Sequence, residues 1–408
     1  MPPKKNKSLV VKAKPKKAVK KELRPPRWPL FVLYVIGFLL AISAALPTFI
    51  QSNFLQDFVS LRMVSVFFVL ANALTIGAML AFPKIIRELS NYFTTKIVLI
   101  FYVVALLSLT IADSPALALF GIILFTIASN LIWINLDLLV EKFSVDESTG
   151  RTRTIYMTFI NAGWILAPTF SSYLIKIGTY ELPFFISAFL VLPIFLILLG
   201  YGRQLNGQVK YRTEKLATAI KKMWANKNLR GIFFIALFLQ LFYSLAVVYV
   251  PVYLHQTLGM GWNVIGPIFS VMLIPFVLFE IPAGIIADKY LGEKELLSVG
   301  LFIITVSLFL FFYLDSPIAW VWAATLFLSR IGAALVESMR DTYFFKLVGA
   351  KDVGYINLFR LSGPVAYIIG PGIAILVLSF LPINYIFLTA AIIMLASFYF
   401  VSSIKDTK

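Results

Sequence analysis

The chain has 408 residues, of which 60% are hydrophobic and only 13% charged, with a net charge of +17. That composition excludes an ordinary soluble domain, and it gathers the apolar residues into runs near the ~20 residues needed to cross a bilayer. There is no cysteine and one histidine, His255, so disulfides, thiolate metal sites and His-clustered zinc or iron sites are excluded, and we expect neither metal nor cofactor.

Residues 1–29, MPPKKNKSLVVKAKPKKAVKKELRPPRWP, hold eleven Lys or Arg against one acid, Glu22. They contain no apolar stretch before Trp28 and no cleavage site, so they read as a basic, disordered cytoplasmic tail rather than a signal peptide. Two readings of this arm stand side by side. It either adheres to anionic lipid, each basic residue worth about 1 kcal/mol near the surface, or it is a solvated tail that sets topology. Nucleic acid is not an expected partner, because no folded recognition motif accompanies the charge.

Twelve apolar runs follow, at about residues 30–50, 63–83, 96–113, 116–139, 154–176, 183–201, 230–252, 264–287, 296–314, 318–339, 354–380 and 383–403. Phe31–Ile50 and Leu296–Leu314 are apolar on every face, as helices between lipid and neighbours must be, whereas barrel strands alternate over roughly ten residues. Between the sixth and seventh runs the loop Arg203–Arg230 holds eight basic residues and one acid, Glu214, so that arm and loop together account for the whole net charge of +17. Lys84 and Arg87, Arg151 and Arg153, Lys289 and Lys294, and Lys346 and Lys351 fall in the even loops, while the alternate loops hold only Arg62 and Lys176 and place His255 among them. By the positive-inside bias both termini and the central loop are cytoplasmic, and we expect the plasma (inner) membrane. Within the central loop, Leu216, Ile220, Met223 and Trp224 recur at helical spacing, which predicts an amphipathic helix that either straps two halves together or packs beneath the bundle.

The sequence also repeats. Gly163-Trp-Ile-Leu-Ala167-Pro168 in the fifth run matches Ala366-Tyr-Ile-Ile-Gly370-Pro371 in the eleventh, the two prolines lying 203 residues apart. Asp137 at the end of the fourth run matches Asp341 at the end of the tenth. Small residues let helices approach closely, a proline kinks them, and duplicated halves are a common way to build alternating access. The predicted fold is therefore an all-α membrane protein with twelve transmembrane helices in two pseudo-symmetric six-helix bundles, at 30–202 and 230–404, joined by the loop 203–229.

These features resemble the major facilitator superfamily of transporters, over about residues 28–404. Gly284-Ile-Ile-Ala287-Asp288-Lys289-Tyr-Leu-Gly292-Glu-Lys294 is similar to that family's G-x-x-x-D-R/K-x-x-G-R/K-R/K signature, standing between the eighth and ninth runs. The matching stretch of the first half, Phe82–Lys96, lacks the aspartate and both glycines. Gly163–Ser172 resembles the family's antiporter motif with Ala and Ser in place of Gly, and this resemblance implies export. The physical role expected of Gly284 and Gly292 is a close helix contact and a tight turn, with Asp288 facing the positive N-terminal end of the fifth helix beside Arg151 and Arg153 as a cytoplasmic gate.

Ionisable groups within the runs mark functional positions, because burying charge in a bilayer is expensive. Glu280 lies about 12 Å and Arg330 about 15 Å inside their helices by rise per residue, so they reach similar depth. With Glu337, Arg360 and Asp137 they form a candidate buried charge network, in which oppositely charged pairs lower the cost of burial and a carboxylate either carries protons or staples helices. Asn72, Asn130, Trp133, Asn161, Trp164, Gln240, Tyr243 and Asn357 are the candidate cavity residues, each a substrate contact or a helix-to-helix hydrogen bond.

No nucleophile elbow, phosphate-cradling glycine loop or Asp-rich diphosphate motif is present, so an enzyme or an ATP-driven pump is not expected. No filter-like repeat or charged ring suggests a channel. The expected function is secondary transport of a small-molecule substrate, driven by a proton gradient and directed to efflux, by a monomer. The alternative is a transporter-fold receptor or scaffold that acts through the basic arm.

Overall fold

The computed structural model describes residues 27–143, 149–205, 216–348 and 353–405, with Asp288, Arg151 and Arg153 placed by backbone only. The basic arm lies outside the described residues.

The described chain is helical and arranged as two six-helix bundles. In the first half, span one is Arg27–Thr48 with a short continuation, Gln51–Gln56, followed by span two (Leu61–Leu89), span three (Asn91–Thr110), span four (Pro115–Phe143), span five (Thr149–Ile177) and span six (Glu181–Phe189 and Val191–Leu205). In the second half, span seven is Lys227–Val252, then span eight (Trp262–Lys289), span nine (Glu293–Tyr313), span ten (Ala319–Leu347), span eleven (Val353–Arg360 and Ser362–Leu378) and span twelve (Tyr385–Leu395 and Ser397–Ser403). Among the described residues eleven helices are long and apolar enough to cross a bilayer. Thr149–Ile177, with 29 residues and a more polar first turn, completes the set.

Both ends of the described chain lie on one face of the bundle, the terminal face. There Lys405 N donates to Asn228 Oδ1 at 3.1 Å, and Tyr343 OH donates to the Lys405 carbonyl at 2.6 Å. The opposite end is the far face. Local chemistry starts the helices where the apolar runs begin. Ser60 caps span two by accepting from Met63 N, and Asn226 caps span seven by accepting from the amides of Asn228 and Leu229.

The internal repeat reappears as packing. A Cβ on Gly163 would stand 2.8 Å from Ala41 Cβ and 3.0 Å from the Phe38 carbonyl, so span five lies hard against span one. In the second half the contact falls at the other small residue of the pair: Gly370, the counterpart of Ala167, lies hard against span seven, where a Cβ would meet Ser244 Oγ. Each half is thus closed by the equivalent pair of helices, in contact along the same small-x-x-x-small stretch before the proline.

Several helices run past the apolar stretches. Spans two, four and ten continue to Leu89, Phe143 and Leu347 at the terminal face. Lys84, Arg87 and Lys346 therefore sit on helix ends rather than in loops, and Asp137 and Asp341 are internal helix positions rather than closing residues. The helical hydrogen-bond ladder continues wherever the backbone allows, whereas hydropathy stops at the first charges. His255, expected in a loop, sits in a π-helical turn, Tyr253–Thr257, that extends span seven.

The amphipathic stretch forms the helix Leu216–Ala225. Met223 is buried, Ile220 and Trp224 are exposed, and the Trp224 ring lies 5.8 Å from Phe234 of span seven.

Candidate functional site

Between the halves lies a cavity of about 600 Å³. Its floor toward the far face is Thr48, Phe49, Gln51 and Ser52, and its lining reaches Phe345 and Ile356 toward the terminal face. Every candidate for the cavity or the charge network except one lines it: Asn72, Asn130, Trp133, Asp137, Asn161 and Trp164 from the first half, and Gln240, Tyr243, Glu280, Arg330, Glu337 and Arg360 from the second. The exception is Asn357, which does not line the cavity although its neighbours Ile356 and Phe359 do, because one helical residue is a rotation of about 100°.

The two walls differ in chemistry. Apart from Asp137, the polar groups of the first half are amides, hydroxyls and indoles, set among apolar side chains such as Phe68, Phe125 and Met157. Asn72 and Asn130 each donate to a carbonyl one turn back on their own helix, at 2.9 Å. Asn135, by contrast, turns away from the cavity and joins spans four and three, donating to the Asn91 carbonyl and to Thr95 Oγ1.

The second wall is ionic. Tyr243 OH donates to Glu337 Oε2 at 2.7 Å, and Arg340 lies 3.6 Å from Glu337 Oε1 and 3.3 Å from Asp341 Oδ1. Across the gap between halves, Arg360 forms an ion pair with Asp137. Glu280 and Arg330, expected at similar depth, form no ion pair among the described residues. Glu280 instead has Glu337 and Asp341 as its charged neighbours. Arg330 is buried at 3% exposure, its guanidinium carbon 5.0 Å from the Phe242 ring centre and 5.4 Å from that of Tyr243. Equal depth brings two charges to one level, but rotation about each helix axis decides whether they meet.

Arg340 and Asp341 are cavity residues that reading the sequence for site residues passed over. The signal was present: Asp341 was already matched to Asp137, and Arg340 stands three residues after Glu337, on the same face.

The halves meet at the far face. Thr169 and Ser270 hydroxyls are 2.7 Å apart, Ser65 Oγ and Tyr249 OH 2.6 Å, and Trp262 Nε1 donates to Tyr180 OH at 2.9 Å. Ser172 Oγ also donates to the Trp262 carbonyl. Gly266 makes this contact possible, since a Cβ there would come within 2.8 Å of the Pro168 carbonyl. Pro168, read as a kink, thus also sets its carbonyl against the other half.

Near this seam stands Asp57, whose titration is expected to contribute to stability. Partial desolvation of an otherwise exposed side chain, and next the like charge of Glu181, push the Asp57 carboxyl above its ordinary value of 3.8, with His255 opposing them. A carboxyl with a raised value binds its proton more tightly in this arrangement, so its contribution is full in acid and is lost as pH rises through the raised value. Thermal stability of the purified protein is expected to fall slightly over that range, and Asp57→Asn to flatten the fall; an unchanged profile in the variant would remove Asp57 as the cause. The effect is small because Asp57 is exposed.

At the terminal face the signature segment is only partly a contact device. Gly292 has φ 105°, a conformation that favours glycine, and makes the tight turn into span nine. Gly284 has open space where a Cβ would stand, so the expected close helix contact there is not made. Lys294 donates to the carbonyls of Ser402 and Ile404, Glu293 pairs with Lys346, and Lys289 is exposed. The expected clamp of Asp288 with Arg151 and Arg153 involves side chains outside the described residues.

The two helical bundles meet at one end around a central cavity lined by polar and charged side chains. The sequence matches the Major Facilitator Superfamily over residues 138–274 and 262–407, and the chain belongs to that superfamily. Among solved structures it is similar to a POT family transporter in complex with 5-aminolevulinic acid, with a TM-score of 0.77 at 13% identity, covering 93% of this chain and 96% of that one. It is also similar to the nucleoside transporter NupG, as a D323A mutant, with a TM-score of 0.72 at 15% identity, covering 92% and 100% of the two chains. No curated protein matches. The chain is a multi-pass integral membrane protein of a transporter family.

Proposed function

We propose that this protein carries out secondary active transport of a small solute by alternating access, coupled to protons and directed to export. The observation that carries the reading is the charge pairing in the cavity. Of its four acids and three arginines, Asp137 is paired with Arg360, and Glu337 and Asp341 share Arg340. Glu280 is left over as a carboxylate beside two others, and a proton is the simplest cation to neutralise it.

With the terminal face cytoplasmic by the positive-inside bias, the far-face contacts close the outer end and the cavity lining extends inward. Asp137–Arg360 is the ionic link between the halves at the inner end among the described residues, and rocking the halves apart or together would break or protect it. The lean to export rests on the likeness of Gly163–Ser172 to the antiporter motif alone.

The test is reconstitution into vesicles with a panel of labelled neutral, anionic and cationic solutes. An imposed proton gradient is expected to drive at least one of them severalfold beyond protein-free vesicles, and a protonophore to abolish the drive. If no solute moves under any gradient, the scaffold reading replaces this one.

A further inference from the structure

The cavity contains a second leftover charge, and it is positive. Arg330 is 3% exposed, and its Nε and Nη1 have no hydrogen-bond partner. The other two cavity arginines each hold a carboxylate, while the acid nearest in sequence to Arg330, Glu337, is taken by Tyr243 and Arg340. Phe242 and Tyr243 pack against the guanidinium, which satisfies its π surface but none of its N–H groups. A buried arginine stays charged, and unmade hydrogen bonds to a charged group are costly, so this arrangement is stable only if something supplies acceptors.

We propose that Arg330 is the anchoring site for a carboxylate on the transported solute. The planar fork of N–H donors matches a carboxylate in two parallel hydrogen bonds. One unpaired guanidinium offers one positive charge, and the acids in the same cavity oppose a second negative charge, so the solute is a monocarboxylate rather than a phosphate dianion. Its body would extend toward the neutral wall of Asn130, Trp133, Asn161 and Trp164, which suits an aromatic or amide-bearing frame. This inference rests on the transport reading, but its test does not require transport.

The probes are 3-phenylpropionate, 3-phenylpropionamide, 3-phenylpropylammonium and phenyl phosphate, together with carboxylates from acetate to indole-3-propionate, titrated against the purified full chain by thermal shift and by fluorescence of its tryptophans. At least one carboxylate is expected to bind tenfold or more tighter than its amide and ammonium counterparts and than phenyl phosphate. Arg330→Gln should remove that preference, and Arg330→Lys should keep part of it. The ligand-free Arg330→Gln protein should melt no lower than wild type, because it loses an unsatisfied buried charge. Failure of every carboxylate to bind, equal binding of acid and amide, tighter binding of phenyl phosphate, or a preference surviving in Arg330→Gln overturns the site. A large drop in melting temperature of Arg330→Gln also overturns it, since Arg330 would then be a structural staple. The transport reading fails separately, if no solute of any charge is moved in vesicles.

Discussion

Replacing Glu280 by glutamine is expected to uncouple solute movement from the proton gradient, lowering gradient-driven accumulation at least tenfold while leaving solute exchange across the membrane intact. Glutamine has nearly the shape of a protonated glutamate and cannot release a proton. Glu280 lines the cavity and accepts no cation among the described residues, with Glu337 and Asp341 as its charged neighbours. A permanently neutral side chain should therefore hold the protein in the state that the proton-loaded carboxyl favours, and remove the difference in affinity by which the gradient biases the cycle. The measurement is a pair of vesicle assays, proton-driven accumulation against counterflow at equal pH. Accumulation that stays proton-dependent in Glu280→Gln would assign coupling elsewhere, with Asp137 and Asp341 as the remaining cavity aspartates.

The second large effect is mechanical. A Thr169→Cys, Ser270→Cys double variant should lock the halves at the far face when oxidised, reducing transport at least tenfold, and recover on reduction. The two hydroxyls are 2.7 Å apart, on helices of opposite halves, so sulfurs at those positions lie within bonding reach. The chain has no cysteine of its own, so no other disulfide can form within it. Full transport by the oxidised variant would mean that spans five and eight do not separate at this level, and rocking about a central site would be wrong. Gly266 underlies the same seam, where the Pro168 carbonyl leaves no room for a side chain.

The fold was legible because a bilayer enforces it. A segment crossing hydrocarbon must satisfy every backbone group internally, so a continuous apolar run becomes a helix whatever its neighbours do. The repeat of Gly163–Pro168 and Ala366–Pro371 marked the helices that seal each half, and the packing of Gly163 on span one and Gly370 on span seven follows that match. The ends of helices were read less well. Spans four and ten run on through Asp137 and Asp341, because hydropathy records what the bilayer tolerates rather than where hydrogen bonds stop.

Membership of the cavity was partly legible, since costly polar residues such as Asn161, Gln240 and Glu280 stand out against an apolar background. Their partners were not. Asn135 and Asn130 look alike in the sequence, yet one joins two helices and the other faces the cavity. Glu280 and Arg330 sit at similar depth and do not pair, while Arg360 finds Asp137 in the other half. Composition, charge and spacing determine which segments cross, how many there are and which residues are expensive to bury, because those depend on local transfer free energies. Which charge meets which, and which two are left over, is decided by helix rotation and by how the halves dock, quantities fixed only when the whole bundle packs.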